Sequence, residues 1–473
     1  MRYDIFVIVL VYMSIIIGVA VYSSKKRVKN SKDYLLAGRR LGPLMMAGTL
    51  AAAEIGGGST VGVAAKAYGS WGLSAGWYVV CAGLGIFLVS FIATYLRKSM
   101  ATTVPEILGR RYGKFAHIVT TILSIVALFI ATAVQIIATS TIISTITGID
   151  LKTTVIIAGI VITIYTVLGG LVSVSTTDII HILFITIGMA IALPIILHNA
   201  GGWSEVKNAL PPGHLGFTKV GWKTIIGLIL MYFMTFSTGQ EAVQRYFAAK
   251  DYKVAKLGSM FCALLMSLYA FVPAIIGLVA LAKFPNINPN NAMATAAVNF
   301  APTLIAGLVL SGVCAATMSS ASGNMLAVST MFSKDVYQRY IQPQATDAQI
   351  LLVTRSAVIV IGVISLVIAV TNTQIIPLLV FAFTIRSAGP FAAFIFGFLY
   401  KKATVNAGIY SIVLGSIAAF VWQYLNEPYG IMAVVLGSVV STIVFFVVAL
   451  IENKMGVPPA PDIIPKEVET AAE

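Results

Sequence analysis

"AAAEIGGGSTVG", residues 51–62, sits inside an apolar stretch long enough to cross a bilayer. Each glycine in a helix costs about 1 kcal/mol relative to alanine, and a carboxylate in hydrocarbon is expensive. Here Glu54 stands two residues before the run Gly56-Gly57-Gly58. Glycines let a helix unwind, and unwinding frees backbone carbonyls that hydrocarbon cannot satisfy. A bound cation can satisfy them. The competing explanation is close packing of helices through small residues. A matching break elsewhere in the chain favours the first reading.

The chain around this stretch is that of a polytopic membrane protein. Of 473 residues, 58% are hydrophobic and 10% charged, whereas soluble domains carry about 25% charged residues. Apolar runs recur from end to end, which excludes a water-soluble enzyme. The net charge is +14, yet the Lys and Arg lie in short clusters between spans, so nucleic acid is not implied. Cys81, Cys262 and Cys314 all fall in apolar segments and read as buried thiols. The four histidines lack metal-ligand spacing. "GGGSTVG" lacks the lysine of a phosphate loop. The first apolar run has no cleavage site and reads as a retained helix.

About thirteen transmembrane helices are expected, from residues 5–22 to 430–450. The clusters "KKRVKNSK", "LAGRR", "LRK", "GRRYGK" and "YKK" fall on one side by alternation, and that side is cytoplasmic. The N-terminus is then outside and the C-terminus inside a cell membrane.

Numbering the helix at 44–67 as core helix 1, core helix 6 at 224–247 enters from the opposite face. Core helix 6 comes five helices after core helix 1, an odd number, so the second group of five is inverted. Phe236-Ser237-Thr238-Gly239 is the matching interruption in core helix 6. Both breaks lie about 15–18 Å deep at 1.5 Å per residue, near the midplane of a ~30 Å core. The expected organisation is an extra helix and loop at 1–43, a first repeat at 44–200 and an outer loop at 201–223. A second repeat at 224–402, two further helices at 403–452 and a disordered cytoplasmic tail at 453–473 follow.

Candidate site residues gather at the same depth. "CAATMSSASGN", residues 314–324, places Ser319, Ser320 and Ser322 within one turn beside small residues. Hydroxyl and carbonyl oxygens suit a hard cation. Asp178 is either an interfacial carboxylate or an ion ligand near these serines. Arg386, about 16 Å into its helix, pairs either with Glu54 or with an anionic group on a solute. Lys66 reads as a snorkelling residue at the outer interface.

Six stretches, in order from residue 33 to about 410, resemble the sodium/solute symporter family. They are "DYLLAGRRLG", "TVPEILGRRYG", "YTVLGGLVSVSTTD", "QEAVQRYFAAKD", "AATMSSASGNMLAVSTMFSKDVY" and "GFLYKKAT". The resemblance is to sodium-coupled proline- and pantothenate-type carriers. It implies an all-α, leucine-transporter-type fold with a 5+5 inverted repeat, and Na+ as coupling ion. It also implies a sodium site made by the carbonyls of Ala52, Ile55 and Ala316 and the hydroxyls of Ser319 and Ser320. Some members add a second ion, matched here by Asp178, Ser319 and Ser322, but the last ligand position is Gly323. The sugar carriers' aromatic gate is matched by Thr235-Phe236. Glu54, Gly56, Gly57, Gly58, Phe236 and Arg386 are the candidate solute contacts.

The expected function is sodium-coupled uptake of a small organic solute, a carboxylate or an amino acid, by alternating access. A proton-coupled carrier with Glu54 titrating is the alternative, and a membrane sensor a remote one. The expected partners are the solute and the lipid bilayer. No nucleic acid and no obligate protein partner is indicated.

Overall fold

The computed structural model describes residues 2–464. Helices dominate, and the β pairing among the described residues is one isolated bridge between Leu41 and Ala249. Among the described residues, nine helices are long and apolar enough to cross a membrane, or ten if the bent pair Ile376–Ser387 and Pro390–Leu399 is one span. The expected count near thirteen is not reached by that measure, for two reasons. The halves of each interrupted helix are too short to qualify. The segment Leu151–Asn199 is one 49-residue element that turns at Gly170, where φ is +68°. That turn is packed by Tyr34, whose ring would lie 2.5 Å from any β-carbon at Gly170.

Burial sorts the helices into a core and a rim. In Thr303–Ile341, 83% of the most apolar window is buried, against 28% in Tyr3–Arg27. Rim helices present Ile15, Val363 and Ile443 outward, as a lipid-facing surface requires. The central helix Thr303–Met331 packs against both Val104–Thr147 and Leu151–Asn199. Its small residues allow this close approach.

Two interrupted helices complete the core. The first runs Pro43–Glu54, breaks, passes through a wide turn at Gly58–Gly62 and resumes as Val63–Tyr68. The second runs Trp222–Thr238 and resumes as Gln240–Ala248, with Gly239 extended at ψ 115°. Its break lies at Gly239, three residues beyond Phe236, where the expected interruption begins. Ser237 and Thr238 bond back to the carbonyls of Phe233 and Met234, and the helix stays wound through Thr238. The far end of this helix is pinned by Leu41, whose N–H donates to the Ala248 carbonyl at 3.1 Å. Arg97 Nε donates to the Ala249 carbonyl at 2.7 Å.

The expected disordered tail is a partial miss. Residues through Lys454 are helical, and Ala460 and Ile463 are buried. Buried Arg111 donates to the carbonyls of Ala460, Pro461 and Tyr400 at 3.2, 2.7 and 3.1 Å. Composition marks this Pro-rich segment as polar and loose, but a buried guanidinium supplies the partners that order it. The rest of the expected tail, from residue 465, lies outside the described residues.

Candidate functional site

The first break is a rerouting of hydrogen bonds. In an unbroken helix the Gly57 N–H would bond the Ala53 carbonyl. It donates instead to Gln135 Oε1 on the neighbouring helix, at 2.7 Å. The released Ala53 carbonyl accepts from Ser320 Oγ at 2.8 Å. Ser59 Oγ takes the Glu54 carbonyl at 2.7 Å. Gly56 and Gly57 are what let these groups meet. A β-carbon on Gly56 would lie 2.5 Å from Ser320 Oγ, and one on Gly57 2.4 Å from the Ala138 β-carbon.

Ser320 Oγ therefore sits where carbonyls of two helices converge. It lies 3.2 Å from the Ala52 oxygen and 3.0 Å from the Ala316 oxygen, besides that of Ala53. Such a cluster of neutral oxygens is the donor set a hard monovalent cation takes. Ile55 follows directly with φ −80° and ψ +60°, outside the helix. Ser319 points elsewhere: its hydroxyl donates to Asp178 Oδ1, and Thr49 Oγ1 donates to Asp178 Oδ2. Asp178 is fully buried, so its placement at a watery interface is not what the structure has. Ser322 is not brought to Asp178. Its hydroxyl donates to the Ser319 carbonyl at 2.9 Å.

Beside the oxygen cluster is a cavity of about 30 Å³ lined by residues that include Glu54, Gly58, Gln135, Tyr232, Glu241, Asn324 and Phe383. A space this size holds about one water. Glu54 Oε1 is buried with no hydrogen-bond partner among the described residues. Arg386 does not pair with Glu54. Its Nη1 donates to Glu241 Oε2, and both side chains are buried. The guanidinium also lies 4.9 Å over the Phe383 ring. Depth along the chain placed Arg386 at the right level but carries no information on which way it faces. Phe236 is buried but stacks on Tyr232 at 5.2 Å, and Tyr232 forms the wall. Gln135, Tyr232, Glu241 and Asn324 were missed. Gln135 and Asn324 are isolated amides in apolar spans, and Glu241 lies two residues beyond the observed break; each carried a readable signal.

A second, larger cavity of about 310 Å³ opens at the surface, lined by Gly62, Lys66, Asn288, Gln374, Ile375 and Ile376 among others. Between the two, Ile376 seats on Gly62 and Leu379 on Gly58, at 2.8 and 2.7 Å from where β-carbons would be. Lys66 lies 5.3 Å over the Trp71 ring.

With a paired break in two helices and an oxygen cluster between them, the comparison that decides is with the sodium:solute symporter family, whose model matches residues 34–415. The chain belongs to the sodium:solute symporter family. A sodium/proline symporter of Staphylococcus aureus (strain bovine RF122 / ET3-1) is 24% identical over 95% of this chain and 93% of its own length. A sodium/glucose cotransporter of Vibrio parahaemolyticus is 25% identical over 85% of this chain and 82% of its own. A Na+-coupled sialic acid symporter, solved substrate-bound and outward-open, superposes with a TM-score of 0.82 at 22% identity, over 97% of this chain and 99% of that one. A nucleobase-cation-symport-1 family transporter in a closed conformation gives 0.58 at 15% identity, over 93% and 98%. The symporter has the leucine-transporter-type fold. It is a multi-pass membrane protein that couples sodium to the movement of a small solute, and it is not an enzyme.

Proposed function

We propose that the symporter takes up a small zwitterion, an amino acid, with one sodium held between the first interrupted helix and the serine helix. The carbonyls of Ala52, Ile55 and Ala316 and the hydroxyl of Ser320 are the sodium ligands in this reading; Ser319, whose hydroxyl is given to Asp178, drops out of the set. Convergence of the Ala52, Ala53 and Ala316 oxygens on Ser320 supports it. The observation that carries the solute class is Glu54 Oε1, buried at the cavity with no partner. A buried carboxylate wants a donor, and a protonated amine is the strongest one a solute brings. Arg386 Nη1 is bonded to Glu241, while its Nε and Nη2 have no partner among the described residues, so the guanidinium keeps donors for the carboxylate end of the same zwitterion. The buried charges also close for a zwitterion. Glu54 has one buried oxygen, and Asp178, Glu241, Arg245 and Arg386 are buried; with all five ionised this set carries one excess negative charge, which one sodium balances beside a neutral solute.

The division into repeats at 44–200 and 224–402, an outside N-terminus in a cell membrane, and action without an obligate protein partner or nucleic acid belong to the same proposal. Proteoliposome uptake of a panel of amino acids, amines and carboxylates, in sodium and in choline, tests it. Amino acids should accumulate only with a sodium gradient. Accumulation of carboxylates lacking an amine would overturn the solute class. The proton-coupled alternative rests on the same orphan oxygen of Glu54; uptake driven by a pH gradient without sodium would select it.

A further inference from the structure

The surroundings of Asp178 do not fit a second sodium. Both carboxylate oxygens are taken, one by Ser319 Oγ and the other by Thr49 Oγ1. Ser322 Oγ is turned onto its own helix. The next position is Gly323, which has no oxygen to give. The space beside Gly323 is filled by a cation from the protein itself. A β-carbon there would lie 3.0 Å from Arg245 Nη2. Arg245 is 1% exposed, and its Nη2 has no acceptor among the described residues. Its Nε donates to the Thr49 carbonyl at 3.0 Å and to Thr49 Oγ1 at 3.2 Å. Its Nη1 donates to the Glu241 carbonyl one turn back. The Thr49 hydroxyl thus links guanidinium to carboxylate: it receives from Arg245 and gives to Asp178.

We infer that the Arg245 guanidinium is a tethered cation standing where a second sodium would otherwise balance Asp178, so that this symporter binds one sodium per chain. A guanidinium has only N–H donors and stays charged. It neutralises the carboxylate, offers no lone pair to a metal ion, and repels one. Gly323 is part of the arrangement, because a serine there would place its side chain against Nη2. The tether also spans three parts of the core. Arg245 is on the second interrupted helix, Thr49 on the first, and Asp178 on Leu151–Asn199. The proposal rests on reading the Ser320 cluster as the first sodium site.

Equilibrium binding of radioactive sodium to the purified full-length protein in nanodiscs, with no solute present, is the test. The wild-type chain should bind one sodium with a Hill coefficient of 1, and Ser320→Ala should weaken that binding at least tenfold. Arg245→Gln exposes Asp178 and should raise the count to two. Adding Asp178→Asn to it should return the count to one, and Arg245→Lys, which keeps a tethered charge, should stay at one. Two sodium ions on the wild type would overturn the inference, and so would one on a folded Arg245→Gln with an unchanged circular dichroism melt. If Arg245→Gln does not fold, the wild-type count and the Arg245→Lys count decide. No sodium bound to the wild type, or full binding by Ser320→Ala, would overturn the first-site reading instead.

Discussion

Gly57→Ala is a small change whose effect can be worked out from the contact it makes. Gly57 has φ −59° and ψ −40°, so alanine is conformationally welcome and by propensity alone would stabilise by about 1 kcal/mol. Its methyl, however, would lie 2.4 Å from the Ala138 β-carbon. Carbon atoms meet at about 3.5–4.0 Å, so the two backbones must part by roughly 1 Å. Neither methyl has a flexible end that could swing aside. Overpacking of this kind costs about 1–3 kcal/mol. The strain falls on the bond from Gly57 N–H to Gln135 Oε1, which releases the Ala53 carbonyl for Ser320. If about 1–2 kcal/mol reaches the oxygen cluster, sodium affinity falls about 5- to 30-fold at 1.4 kcal/mol per decade. The assay is sodium titration of thermal unfolding on purified protein. Ala138→Gly removes the struck atom, so the double variant should regain sodium affinity to within about 3-fold of wild type, although glycine costs its own helix about 1 kcal/mol. Full sodium affinity in Gly57→Ala, or no recovery in the double variant, would refute the packing argument.

Glu241→Gln leaves the buried Arg386 guanidinium unpaired and should destabilise by about 3–5 kcal/mol; Glu241→Gln with Arg386→Gln should recover most of that loss in a denaturation melt. Glu54→Gln keeps the shape of the cavity but removes its free charge, and should cut sodium-driven amino-acid uptake at least tenfold; unchanged uptake counts against the solute reading. Arg111→Ala strips the carbonyls of Ala460, Pro461 and Tyr400 of their donor, and should speed trypsin cleavage after Lys454 in the still-folded protein by more than it lowers the main unfolding transition.

Much of this architecture was legible in the chain because its signals are local. Glycines beside a buried acid mark the break at Glu54, and hydroxyls within one turn mark the serine helix. What was not legible depends on rotation about a helix axis or on neighbours distant in sequence. Counting residues gave Arg386 its depth but not its partner Glu241, 145 positions away. Composition described the tail as loose, while Arg111, some 350 residues earlier, orders part of it. The second break is readable as the stretch Phe236-Ser237-Thr238-Gly239, without a choice of position inside it. Ser237 and Thr238 bond back to their own helix, Thr238 also meeting Ser387, and the chain opens at the glycine that ends the stretch.

Ile376 and Leu379 both belong to the short helix Ile376–Ser387, and both sit in hollows left by glycines of one facing segment. They lie one turn apart on the same helix, so a tilt of that helix would release both contacts, and with them the path between the surface cavity and the inner one, together. That coupling is what a carrier needs if ions are not to slip through while its cargo is absent.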